Sequence, residues 1–279
     1  MKTTLLSLVI IPVATAFVSR PVPSLTGGAD RYADPYAALY ADTLTAGVAV
    51  WNNLKADKGP EGVSREVLKG STHDLSMLDI RAYTLDAGQT LPAASPQANA
   101  DILVIVREGS LTVSIDNHVK VLGSGGVALF AAGEVPGFAN TGVTAVTYYA
   151  FHFRSRSPEN QERARQAGPP FLIDWKEMVM KQTAKGESRP IFDRPVAWLG
   201  KIDLHATTLN AGEVSHPPHI HRAEEIILMR TGMNVQEYID GKYYQAYAGD
   251  LIFLPSGVPH ALENRGTGRC EYFALQWEQ

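Results

Sequence analysis

His219, His221, Glu225 and His260 place three imidazoles and one carboxylate in a short C-terminal stretch of a 279-residue chain. Neutral imidazole nitrogens and a carboxylate oxygen suit a divalent transition metal, and four protein ligands leave one or two positions for water or substrate. The spacing has a physical meaning because side chains alternate along a strand. His219, His221 and Glu225 share parity, so one continuous strand would point all three to one face, whereas Glu224 is expected to point away. Residues 225–229 (Glu, Ile, Ile, Leu, Met) read as a buried strand. His260 follows the turn-forming residues Pro255, Ser256, Gly257, Val258 and Pro259, which would return the chain so that a fourth ligand reaches the same ion.

The elements that carry these residues resemble the two motifs of the cupin family. The first motif is met by His219, His221, Glu225 and Gly232, with six residues rather than five between Gly212 and His219. The second is met at every position by Gly249, Pro255, Gly257, His260 and Asn264. The resemblance implies a small antiparallel, jelly-roll-like barrel (a double-stranded β-helix) with the ion inside.

From Trp51 onward the chain repeats at an offset of 124 residues: Trp51 with Trp175, Gly62 with Gly186, Arg65 with Arg189, Leu85 with Leu209, Gly133 with Gly257, Asn140 with Asn264, and Tyr148 with Tyr272. Gly109 pairs with Gly232 one residue out of step, and the step is recovered at Gly125 and Gly249. The predicted fold is therefore all-β, with two tandem cupin barrels and a short helical N-terminal arm. The expected boundaries are a signal peptide at 1–16, an arm at 17–50, a first cupin at 51–154, a connection at 155–172 and a second cupin at 173–279. At the four ligand positions the repeat gives the first copy Ser95, Gln97, Asp101 and Pro136, a poor set for a transition metal. The first barrel is thus expected to be metal-free and structural.

The net charge is −4 with no basic block, which gives no footprint for nucleic acid. Cys270 is the only cysteine and lies in an apolar run, so it reads as a buried, inert thiol. Lys2, the apolar residues 5–13 and the small-residue site at Ala14–Ala16 read as a secretory signal too short to span a membrane. A periplasmic or secreted protein with no membrane contact after cleavage is expected, and a homodimer is left open. A short helix is expected over 35–44 and another over 158–167, the latter stopped by Gly168.

His73, His118, His152 and His205 read as surface or hydrogen-bonded residues, and His216 as a spare at the barrel mouth pointing away from His219. Tyr238, Tyr243, Tyr244, Gln276 and Trp277 are candidates for the pocket wall. The chain carries neither a Gly-x-Ser-x-Gly elbow nor a P-loop, and the glycine-rich residues 123–126 match an inter-strand turn in the repeat. The resemblance implies one divalent transition metal (Mn, Fe, Ni or Zn) and a small-molecule substrate. Glu225 would serve as both ligand and catalytic base. Among cupins with three histidines and one glutamate, dioxygenase chemistry is the leading expectation, followed by an isomerase or lyase acting on a sugar-derived acid. A non-catalytic binding protein is the third, and the retained ligand set argues against it.

Overall fold

The structure is a computed structural model that describes residues 43–59, 62–91 and 99–279. The signal at 1–16, the first-copy positions Ser95 and Gln97, and all but the last two residues of the helix expected at 35–44 lie outside the described residues. Thr43 forms a bridge with Ser71.

Each half of the repeat builds one large and one small antiparallel sheet. In the C-terminal half the large sheet runs, in hydrogen-bonded order, Gly47–Ala49, Leu251–Leu254, Glu224–Thr231, Cys270–Glu278, Lys201–Leu209, Gly186–Arg194 and Lys181–Thr183. The small sheet facing it is Lys242–Ala246, Val235–Ile239 and His260–Asn264. The N-terminal half repeats the plan, with Phe171–Ile173, Val127–Phe130, Asp101–Glu108, Val146–Ser155, Leu75–Leu85, Gly62–Gly70 and Asp57–Gly59 in the large sheet. The two edge strands are exchanged. Gly47–Ala49 precedes the first barrel but pairs with Leu251–Leu254 of the second, and Phe171–Ile173 pairs with Val127–Phe130 of the first. The helix Gln161–Ala167 links the halves, capped by the Asn160 side chain and ended at Gly168.

Among the described residues, the three largest apolar clusters fill this plan. One lies inside each barrel, and the largest lies between the barrels, where Phe151, Phe153, Phe253, Phe273 and Trp277 are buried. The inter-barrel face keeps the symmetry of the repeat. Trp51 sits under the Arg107 guanidinium at 4.1 Å, and its repeat partner Trp175 sits under Arg230 at 4.2 Å. A Cβ at Gly125 would lie 2.7 Å from the Trp175 ring, and one at Gly249 would lie 3.2 Å from Trp51. Each glycine leaves room for the other half's tryptophan.

Strand pairing corrects the sequence alignment at one ligand position. Glu225 pairs with Gln276 and Glu224 with Trp277, while Ile102 pairs with His152 and Asp101 with Phe153. Across Asp101–Glu108 the true offset is therefore 123, already visible in the Gly109–Gly232 pair. Asp101 corresponds to Glu224, and the Glu225 position of the first barrel is Ile102. The first barrel's interior is apolar here, with Ile102, Val104, Val113 and Tyr148 packed together.

Candidate metal centre

Glu225 and His260 enter the second barrel from opposite sheets. Glu225 is the second residue of the strand Glu224–Thr231, and His260 begins the strand His260–Asn264. His219 and His221 do not lie on a continuous strand with Glu225. His219 forms an isolated bridge with His260, and the chain bends at Arg222 and Ala223 before the strand starts. Pro217 and Pro218, which lack N–H donors, precede this irregular stretch. The three imidazoles still converge, with ligand atoms of His219, His221 and His260 within 4.8 Å of one another.

Backbone carbonyls fix the ring orientations. The Nδ1–H of His221 donates to Ala223 O at 2.8 Å and that of His260 donates to Val258 O at 2.8 Å. A carbonyl only accepts, so Nδ1 of each ring carries the proton and Nε2 faces the site. Glu225 Oε2 lies 3.1 Å from His221 Nε2 and 3.2 Å from His260 Nε2. The His260 Nε2 is buried and makes no hydrogen bond. Two imidazole lone pairs and a carboxylate oxygen at such distances repel unless a proton or a cation lies between them. Backbone carbonyls that orient imidazoles are also the usual outer support of a metal site. The three imidazoles could thus hold a metal ion, with the Glu225 carboxylate beside two of them.

The titration behaviour agrees with this geometry. Burial pushes the Glu225 carboxyl up, but its contacts with His221 and His260 outweigh burial and hold it at about 2. The hydrogen bond to Glu225 raises His221, whereas burial and the neighbouring imidazoles lower His219.

The site opens on a cavity of about 480 Å³ whose wall includes Lys185, Ser188, His205, Thr207, His216, Glu237 and Gln276. Of the side chains predicted to line it, Gln276 does, while Tyr238, Tyr243, Tyr244 and Trp277 do not. Gln276 neighbours Glu225 across the sheet, and Trp277, one residue on, faces the other barrel. His205 lines the cavity with its ring 3.3 Å from Asp203. His216 does not point away from His219: the two rings sit 3.9 Å apart, because residues 215–218 bend instead of continuing a strand. His73 pairs with Asp74, and His152 is buried against Asp79 O, consistent with structural roles. Cys270 is buried, and burial pushes its thiol up to about 11.

Sequence reasoning missed Glu237. It is 1% exposed, lies on the cavity wall, and one of its carboxyl oxygens has no hydrogen-bond partner. Burial, reinforced by the charge of Glu225, raises its carboxyl well above the usual range. The signal was present in the alternation of Val235–Ile239, where Val235, Glu237 and Ile239 share the buried face. The corresponding residue of the first barrel is Val113.

The family model for the cupin domain matches residues 206–275. No characterised protein matches the chain by sequence. Solved structures align over most of it at low identity. AerE from Microcystis aeruginosa is 15% identical at a TM-score of 0.62, covering 83% of this chain and 99% of its own. Lactobacillus farciminis oxalate decarboxylase, in a formate complex, is 14% identical at 0.63, covering 82% and 85%. YlbA from E. coli is 13% identical at 0.62, covering 84% and 91%. The class defined by fold and site is a double-barrel β protein with its histidine cluster in one barrel. Residues 206–275 match the cupin domain, and the double-barrel fold of the whole chain is shared with these solved structures.

Proposed function

We propose that the second barrel is a metal-dependent enzyme site for a small, oxygen-rich molecule. The observation that carries this reading is the buried, unbonded His260 Nε2 facing the Glu225 carboxylate. A bound divalent metal would supply Lewis-acid stabilisation of negative charge on a substrate oxygen. The chain's own residues bind and orient the substrate through the polar side chains of the cavity, and Glu225 and Glu237 present two carboxyls of opposed acidity to it. Such a pair separates a group that stays ionised from one that keeps its proton. The buried Glu237 carboxyl on the cavity wall would give an isomerase or lyase acting on a sugar-derived acid a proton donor, beside the dioxygenase expected from the ligand set. Bacillus subtilis oxalate decarboxylase, 14% identical at a TM-score of 0.61, has Mn(II) centres. That likeness supports manganese among the four candidates, manganese, iron, nickel and zinc.

The test is metal content by mass spectrometry on protein purified without chelator or nickel resin, beside His260→Ala. Oxygen uptake and ultraviolet change are then followed with flavonols, diketones and keto-sugar acids. One metal per chain, lost in the variant, supports the site, and an ultraviolet change without oxygen uptake supports the isomerase or lyase. Oxygen consumption supports the dioxygenase, and metal-free wild-type protein favours a binding protein. Export through residues 1–16 and a homodimer belong to the same proposal, read out by N-terminal sequencing of the exported protein and by its solution mass. No helix among the described residues is long and apolar enough to cross a membrane.

A further inference from the structure

The segment between His221 and Glu225 is gripped from the first barrel. Arg222 donates two hydrogen bonds to the Asp74 carboxylate, both at 2.8 Å. Glu224 is fully buried and accepts from Thr72 Oγ1 at 2.5 Å, from the backbone N–H groups of His73 and Asp74 at 3.1 Å each, and from Trp277 Nε1 at 3.0 Å. Thr72 and Asp74 are 2% and 3% exposed. Arg222 and Glu224 flank Ala223, whose carbonyl orients the His221 ring. Contacts from one short loop therefore bracket the turn that sets two of the four candidate ligands.

The other half of the repeat supplies an internal control. The turn closed by Val196 N–H to Leu199 O matches the one closed by Thr72 N–H to Leu75 O, and it docks on the first barrel. There Asp101 accepts from the backbone N–H groups of Ala197 and Trp198 at 3.2 and 2.7 Å. That is the Glu224 arrangement in mirror, but Asp101 is followed by Ile102 and not by a ligand. The Asp74–Arg222 ion pair is not repeated. Its counterpart is a single hydrogen bond from Trp198 Nε1 to Asn99 O. The other turn is held instead by Arg163, which donates to Val196 O and Ala197 O at 2.9 and 2.8 Å, so an ion pair that reaches the ligand-bearing segment itself occurs on the ligand side alone.

We propose that the Thr72–Asp74 loop of the first barrel is a positioning device for His221 and Glu225, so that the barrel without ligands assembles the site of the other. The proposal rests on the metal reading above. Outer-shell partners of metal ligands typically change affinity by about 10- to 100-fold when removed.

The probe is Co(II), titrated into metal-free full-length protein and followed by visible absorption, with His260→Ala as the blank. Thr72→Val and Asp74→Ala are expected to bind Co(II) about tenfold more weakly, with an altered absorption band. Thr72→Ser, which keeps the hydroxyl, restores both. Asp101→Asn loosens the matching lock, lowering thermal stability while keeping Co(II) affinity and the band within about twofold of wild type. Trp277→Phe removes only the indole donor to Glu224 and serves if Thr72→Val does not fold. Unchanged affinity and band in Thr72→Val and Asp74→Ala, or in Trp277→Phe where it replaces Thr72→Val, would overturn this proposal while the metal reading stands. Failure of the wild-type protein to bind above the blank would overturn both.

Discussion

Glu224 and Glu225 are adjacent in sequence and serve different barrels. The Glu225 carboxylate meets His221 and His260 inside the second barrel, and the Glu224 carboxylate accepts from Thr72 and the indole of Trp277 at the boundary with the first. Strand alternation alone assigns the two roles. The same alternation, read through the pairing of the first barrel, turns Asp101 from a degenerate ligand into the counterpart of Glu224.

This assignment makes a direct comparison possible. His221→Ala is expected to remove most of the bound metal, since it takes away one of the four proposed ligands. Asp101→Ala should leave metal content unchanged, because Asp101 binds backbone amides at the inter-barrel face. Metal analysis of the two purified variants checks this. Equal loss from both would show that the active barrel is wrongly assigned.

Glu237 gives a prediction about stability as well as activity. A buried carboxyl with an unpaired oxygen costs roughly 1–3 kcal/mol. Glu237→Val installs the residue of the first barrel and is expected to raise the melting temperature while abolishing turnover. Glu237→Gln keeps the shape but not the proton and should lower kcat about 100-fold or more with metal content intact. Calorimetry and steady-state kinetics on whichever substrate the panel reveals decide it. A destabilised Glu237→Val would mean that the carboxyl is satisfied in solution by a group that holds it in place.

The cupin barrels, the duplication and the convergence of His219, His221, Glu225 and His260 were legible because glycines, prolines and histidines at fixed spacing carry turn and ligand chemistry locally. Three things were not legible. The Gly109–Gly232 pair shows that the offset drops to 123, but where the step is lost between Gly88 and Gly109 needed strand pairing to resolve, since no marker residue is shared there. The position of His216 depended on a bend that parity does not describe. The exchange of the edge strands Gly47–Ala49 and Phe171–Ile173 joins segments far apart in sequence, so no local pattern announces it.

Asn264 belongs to the motif that carries His260, yet its role is structural. Its side-chain amide donates to Leu209 O, Asn210 O and Gly268 O, and its carbonyl accepts from Gly266 N–H. Asn140 ties the equivalent carbonyls of Leu85 and Thr144 in the first barrel, which has no ligand set to serve. Asn264→Ala should therefore cost roughly 2–4 kcal/mol by stranding buried carbonyls, with metal affinity changed far less than by His260→Ala. Denaturant melts beside Co(II) titrations separate the two effects. A variant that loses metal without losing stability would place Asn264 in the site.

The pH dependence follows from two opposed shifts. His221 is held above its ordinary value of 6.5 by its hydrogen bond to Glu225, so in the metal-free protein its contribution is complete below that value. That contribution is lost as the pH rises through the higher folded value. Glu225, driven down to about 2 by the imidazoles against burial, contributes above its ordinary 4.5 and loses the contribution as the pH falls toward 2. The metal-free protein should thus gain most from this pair between about pH 5 and 6.5, and its stability advantage over Glu225→Gln should decline from about pH 6 to 8.5, a difference that sets aside the opposite trend of His152 and His216, lowered by burial. Metal binding needs His221 deprotonated, so the increase in melting temperature on adding Zn(II) should run the other way and grow through the histidine range. Glu225→Gln is also expected to remove most of the Zn(II) increment. Thermal melts with and without Zn(II), stepped across this range, read both trends at once. A Zn(II) increment independent of pH from 5 to 8 would show that the ion is held without His221.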